Sequence, residues 1–161
     1  MKSFISGIVA VLALSACGSS SIRDETDWRS NHTDAQVGPV RLLHLNIEAP
    51  PMDQQQVGGE LPLYLTIVNE SDREQVLDAV STTEAKKVVY VGGDAAPADR
   101  IRVTVPPKGE TSMQKGDGRP YLRLVGVNRQ LGHTTVPVTF RFPTAGSVTV
   151  RVPVAPAPKS S

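Results

Sequence analysis

The sequence has one cysteine and few aromatic residues, and neither sign of charge is in clear excess. A single cysteine in 161 residues cannot form an internal disulfide, so the fold must be held together by its core. Aromatic residues make up 4% of the chain, and lysine and arginine form no runs, so neither base stacking nor phosphate binding supports a nucleic-acid partner. The formal net charge of +1 says little about other partners.

Long hydrophobic runs are also lacking. The longest apolar stretch, residues 4–16, has about thirteen residues and falls short of the roughly 20 that span a bilayer. Lys2 precedes this stretch and small residues end it, which is the pattern of a secretory signal peptide. We therefore predict a signal peptide over residues 1–16.

The end of that stretch, Leu14-Ser15-Ala16-Cys17, resembles the lipobox of bacterial lipoproteins. The resemblance implies cleavage before Cys17 and attachment of a palmitate-type lipid to the new N-terminal residue. The mature chain would then be a lipoprotein held by its N-terminal lipid at the extracytoplasmic face of the cell membrane. The alternative is that Cys17 is an ordinary small residue in a cleaved signal.

Composition divides the rest of the chain into three parts. Residues 17–38 are polar and small without periodicity, which predicts a flexible tether. Residues 39–154 are expected to form one folded domain, and residues 155–161 a disordered tail.

The domain has a period-two pattern typical of β-strands. Turn signals such as residues 92–94, 106–109 and 115–118 separate the short runs, and no segment has a helical apolar stripe. This pattern predicts an all-β sandwich or barrel. The predicted strands cover residues 40–47, 61–69, 75–80, 87–91, 100–105, 121–125, 135–142 and 147–154.

Neither an enzyme site nor a common metal motif emerges from the residues. There is no Gly-x-Ser-x-Gly elbow and no phosphate-binding glycine loop, so we predict that the protein is not an enzyme. Imidazole and thioether groups suit Cu(I), which leaves His44, Met52, Met113 and His133 as candidate copper ligands. Core packing and turn positions are the competing explanation for the same four residues.

Residues 40–154 resemble the periplasmic copper chaperones called PCu(A)C, and more closely their LpqE-like lipoprotein relatives in actinobacteria. The resemblance is carried by residues 63–69, 105–109, 121–126, 136–142 and 145–154, of which the last is the strongest match. It implies a cupredoxin-like, immunoglobulin-like β-sandwich.

The same resemblance points to copper-ligand positions that hold other residues here. Copper-binding members place a histidine at the end of the strand 87–91, where this chain has Tyr90 and Val91. They carry a methionine on the following hairpin, whereas residues 92–102 contain none. Their His-x-Met falls on Tyr121 and Arg123. Valine and arginine do not bind Cu(I), and tyrosine is a poor ligand for a soft ion.

We therefore expect a non-enzymatic binding or interaction module in the cell envelope, without a cofactor and with a possible envelope protein partner. The alternative is a copper chaperone or other metal-handling protein that uses other histidine and methionine residues.

Overall fold

The structure is a computed structural model that describes residues 32–93, 96–132 and 134–157. The signal peptide expected over residues 1–16 and the lipidation site Cys17 lie outside this range. No helix among the described residues has the length and apolar character of a membrane span. The strands of the described part are β1 (Thr33–Val37), β2 (Val40–Ala49), β3 (Glu60–Asn69), β4 (Gln75–Leu77), β5 (Ala79–Thr82), β6 (Ala85–Val91), β7 (Val103–Val105), β8 (Glu110–Met113), β9 (Tyr121–Val127), β10 (Thr135–Phe142) and β11 (Gly146–Pro156), with one 3₁₀ turn, η1 (Met52–Gln54).

Nine of these strands form one curled sheet. Its main path runs β5-β10-β11-β2-β3-β9-β6, with β1 added to β2 and β8 added to β3. The strands at the two ends of the path, β5 and β6, are joined by only two residues, so the sheet closes almost into a barrel. Strands β4 and β7 form a separate two-stranded sheet. The all-β prediction is confirmed.

Alternating side chains build the core inside this sheet. Along β10, Val136, Val138, Phe140 and Phe142 are fully buried, whereas the residues between them are not. Burying each such side chain stabilises the fold by about 1.5–3 kcal/mol.

Several strand boundaries differ from the prediction. β1 lies inside the expected tether and β11 continues two residues into the expected tail, because both find pairing partners on β2. β8 was not predicted, because its four residues carry little periodic signal. The strand expected over residues 100–105 begins only at Val103.

Asp78 divides the segment that we expected to be one strand over residues 75–80. Its backbone N–H donates to the carbonyl of Arg141 (3.1 Å), and its carboxylate accepts two hydrogen bonds from the Arg141 guanidinium, both at 2.9 Å. The hydrogen bond from Arg141 lowers the pKa of the Asp78 carboxyl. These bonds fix the point where the chain leaves the small sheet at β4 and enters the large sheet at β5.

His44 breaks the simple alternation that the sequence predicted for β2. Its φ of 55° places a bulge in the strand, and its backbone N–H donates to the Asp34 carboxylate on β1 (2.7 Å). The bulge changes the phase of the strand, so that Leu42 and Leu45 are both fully buried.

Candidate functional site

Val91, Tyr121 and Arg123, three of the positions to which the resemblance points, lie on one face of the sheet. β6 and β9 are antiparallel neighbours, and Val91 is directly opposite Tyr121. Arg123 is two residues further along β9, so its side chain points to the same side. Tyr90 is opposite the fully buried Leu122 and packs against the core. Val91, and not Tyr90, therefore shares the face with Tyr121 and Arg123.

A cavity of about 520 Å³ lies over this face and opens to solvent. Its floor comes from β3 and β9, where Pro62 is directly opposite Arg123. Its wall is the segment 114–117, which joins β8 to β9. The volume falls within the range of roughly 300–1,000 Å³ that is usual for small-molecule sites. The lining residues are Glu60, Pro62, Tyr64, Gln114, Lys115, Gly116, Asp117, Tyr121 and Arg123.

Two tyrosines and one arginine form the centre of the cavity. The Arg123 guanidinium carbon lies 5.4 Å from the centroid of the Tyr121 ring, and its Nη2 donates a hydrogen bond to the Tyr121 hydroxyl. This hydrogen bond raises the pKa of Arg123, which stays a cation. The ring centroids of Tyr64 and Tyr121 are 5.9 Å apart, and the planes of the two rings make an angle of 45°. Burial, helped by Glu48 and Tyr121, raises the pKa of the Tyr64 phenol, so that it stays protonated at neutral pH.

The charged side chains at the rim are arranged in pairs. Arg123 contacts Glu60 at 3.0 Å, and the Lys115 ammonium donates to both carboxylate oxygens of Glu48, at 2.8 and 3.1 Å. Exposed or half-exposed pairs of this kind contribute only about 0–1 kcal/mol to stability. These pairs place the arginine and the lysine at the same cavity as the two tyrosines.

The four candidate copper ligands occupy different environments in the structure. Met113 is fully buried in the core, where it pairs with Leu65. Met52 is 47% exposed in the 3₁₀ turn η1, and His44 is exposed on β2. His133 lies outside the described residues.

A second histidine, His32, lies beside His44. The rings of His32 and His44 are 5.3 Å apart between centroids and nearly perpendicular. In the described ranges, no group of three or more histidine, cysteine, aspartate and glutamate side chains is arranged to hold a metal ion.

The donor set at the cavity is unsuited to a soft metal ion. A valine side chain has no donor atom, a guanidinium has no lone pair to give, and the phenols of Tyr64 and Tyr121 offer only hard oxygen atoms. The same groups are suited to hydrogen bonding and to stacking. The chemistry of this face therefore favours reversible binding of an organic ligand over coordination of Cu(I).

Of the residues at this cavity, the sequence pointed only to Tyr121 and Arg123, so the residues that pair with them or pack beside them, among them Glu48, Glu60, Tyr64 and Lys115, were not identified. Lys115 and Glu48 are 67 residues apart, and Arg123 and Glu60 are 63 apart, so neither pair could be recognised from local spacing. One usable signal was the run Leu63-Tyr64-Leu65, because three consecutive large residues on one strand must put one of them on the outer face.

Comparison with known proteins identifies one matching family and a set of similar folds. The sequence profile of the LpqE-like lipoprotein family matches residues 40–154. No significant match is found among curated protein sequences.

Several solved structures share the fold. The copper-bound PCuAC domain from PmoF2 is 24% identical, with a TM-score of 0.66, and the match covers 78% of this chain and 99% of that domain. The apo PCuAC domain from PmoF1 is 23% identical, with a TM-score of 0.66 and coverage of 78% and 100%. Apo-DR1885 from Deinococcus radiodurans is 18% identical, with a TM-score of 0.53 and full coverage of both chains. At these identities the likeness establishes the fold alone.

Proposed function

Because the chain belongs to the LpqE-like family, we propose that it is a membrane-anchored extracytoplasmic lipoprotein whose PCuAC-like domain is a non-enzymatic binding module and does not carry copper at the family's usual positions. The family match and the shared fold support the extracytoplasmic, copper-chaperone-like character of the domain. The lipobox-like sequence ending at Cys17 supports the anchor.

One observation supports the part of this proposal that concerns ligand binding. Val91, Tyr121 and Arg123 share one face of adjacent strands, yet none of them supplies an imidazole or a thioether. In their place this face has a cavity built from two tyrosines and two ion pairs. A binding site of different chemistry thus occupies the positions to which the resemblance assigns copper.

A copper-handling role through other residues has one observation in its favour, the proximity of His32 and His44. Two imidazoles are fewer than the three or four protein ligands of a typical structural or catalytic metal site. Met113 is fully buried in the core, whereas His44 is exposed, so the structure brings no thioether from Met113 to that pair. We therefore place this role second.

The anchor is tested by replacing Cys17 with Ser in the full-length chain. Because the thioether bond to lipid needs the cysteine sulfur, we expect an uncut precursor and no lipid-modified mature form. Immunoblotting of membrane and soluble fractions, with metabolic labelling by a palmitate analogue, measures both effects. The matched control is Ser15→Ala, which keeps a small residue and leaves Cys17 in place. Normal processing and labelling of the Cys17→Ser chain would refute the anchor.

A further inference from the structure

We infer that the cavity formed by β3, β9 and the segment 114–117 binds a neutral saccharide, such as the end of an oligosaccharide chain. This inference rests on the proposed function, since it gives a ligand class to the same face of the domain. Three properties of the cavity support it: its balance of charge, its aromatic floor, and its supply of hydrogen-bonding groups.

The charges at the cavity nearly cancel. Two cations, Arg123 and Lys115, stand against the carboxylates of Glu48, Glu60 and Asp117, and four of these five groups are already joined in two ion pairs. A strongly anionic ligand would have to break both pairs and would meet the remaining carboxylate. A cationic ligand would have to compete with an arginine and a lysine that are already in position. A ligand without formal charge avoids both costs.

The floor of the cavity suits the C–H face of a sugar ring. The face of the half-buried Tyr121 ring carries the negative part of the aromatic quadrupole, to which weakly positive C–H groups are attracted, and the buried Tyr64 ring packs beside it. The contact with the Arg123 guanidinium and the hydrogen bond that its Nη2 donates to the Tyr121 hydroxyl hold the Tyr121 ring in place. Pro62, directly opposite Arg123 on β3, adds an apolar surface between the two strands. A rigid and partly apolar platform of this kind reduces the entropy lost when a ligand is bound.

The rim supplies the hydrogen bonds that hydroxyl groups need. Each carboxylate can accept about four hydrogen bonds, and the ion pairs use only part of that capacity for Glu48 and Glu60. Gln114 donates to Thr66 Oγ1 at 3.3 Å, which leaves its amide oxygen as an acceptor. Lysine, glutamine and tyrosine provide donors beside these acceptors. Sugar hydroxyls, which both donate and accept, match such an alternating set.

The test uses the mature chain from position 17 with Cys17→Ser, labelled with ¹⁵N and followed by two-dimensional NMR. Three neutral trisaccharides are titrated separately: maltotriose, arabinotriose and chitotriose. Inorganic phosphate is titrated as the ionic comparison. We expect at least one saccharide to shift amide signals of β3, β9 and residues 114–117, with a Kd in the range of about 0.1–1 mM.

Two variants separate a bound ligand from a general change in structure. Tyr121→Ala removes the stacking ring, and we expect it to weaken saccharide binding at least about tenfold. Tyr90→Phe is the matched control, because Tyr90 faces the core on the neighbouring strand, and its affinity should equal that of the parent chain. Each variant's amide spectrum shows whether the fold is kept. If Tyr121→Ala unfolds, Tyr121→Leu replaces it.

The inference is overturned if none of the three saccharides shifts signals at the cavity at about 10 mM, or if Tyr121→Ala binds as tightly as the parent. Shifts at the cavity caused by phosphate and by no saccharide also overturn it, because they indicate an anion site. Failure of the proposed function gives a different result, namely tight Cu(I) binding by the unmodified chain. The two outcomes are therefore distinguishable.

Discussion

Replacing Asn69 with Asp is expected to destabilise the domain by about 3 kcal/mol, a large share of the 5–15 kcal/mol that keeps a typical domain folded. Asn69 ends β3 and its side chain is 1% exposed. Its amide nitrogen donates to the carbonyls of Arg73 (2.7 Å), Pro106 (3.1 Å) and Val105 (3.3 Å), and its oxygen accepts from Ser71. The side chain thereby ties the β3–β4 turn to the β7–β8 turn.

A carboxylate at position 69 would face three carbonyl oxygens in a buried site without a proton to donate. Protonation restores one donor, so the loss of stability relative to the parent should shrink as the pH falls. Urea unfolding followed by circular dichroism at neutral and acid pH measures both effects. The control is Asn46→Asp on β2, whose half-buried amide makes one hydrogen bond, to the His44 carbonyl (3.0 Å). An Asn69→Asp variant no less stable than this control would contradict the role assigned to the network.

Combining Val91→His, Tyr121→His and Arg123→Met is expected to create a Cu(I) site at three positions whose present side chains carry neither imidazole nor thioether. Residues directly opposite on antiparallel strands have Cβ atoms about 4.5–5.5 Å apart, so imidazoles at positions 91 and 121 can converge on one ion. A thioether at position 123 would lie on the same face. With about a tenfold gain for each added soft ligand, the affinity for Cu(I) should rise about 10³-fold.

Competition with a chromogenic Cu(I) chelator under reducing, oxygen-free conditions measures this gain. The matched control places the same groups at exposed positions on three separate strands, as Gln36→His, Lys86→His and Arg151→Met. Dissociation constants for the triple variant and this control that agree within error would refute the convergence of positions 91, 121 and 123. A variant without Val91→His should bind Cu(I) roughly tenfold more weakly than the triple variant, since it has two of the three ligands.

Much of the fold was predictable from the sequence because the core is built from alternating strands. The period-two runs of β10 and β11 identified those strands almost to the residue, and turn residues marked the segments between them. The bulge at His44 was not predictable, because it depends on a hydrogen bond to Asp34, a residue in the segment expected to be a tether. Likewise, the break at Asp78 depends on Arg141, which lies 63 residues later.

For the candidate site, the sequence indicated two of the residues that line the cavity but not the others. The resemblance pointed to Tyr121 and Arg123, and the pairing of β6 with β9 then decided between Val91 and Tyr90. The partners that give the site its chemistry come from β2, from the start of β3 and from the segment before β9. Long-range pairs such as Lys115 with Glu48 leave no local pattern, since each residue alone looks like a solvent-exposed charge.

Whether the domain takes up Cu(I) is best decided by titrating a chain in which Val91, Tyr121 and Arg123 are unchanged. The mature chain with Cys17→Ser is mixed with the Cu(I) complex of a chromogenic chelator, and loss of the chelator's absorbance reports transfer of the ion. We expect no transfer at one equivalent of protein, because Val91, Tyr121 and Arg123 supply no soft ligand on the shared face. Stoichiometric transfer that persists against excess chelator would contradict this expectation and would make copper handling the leading function.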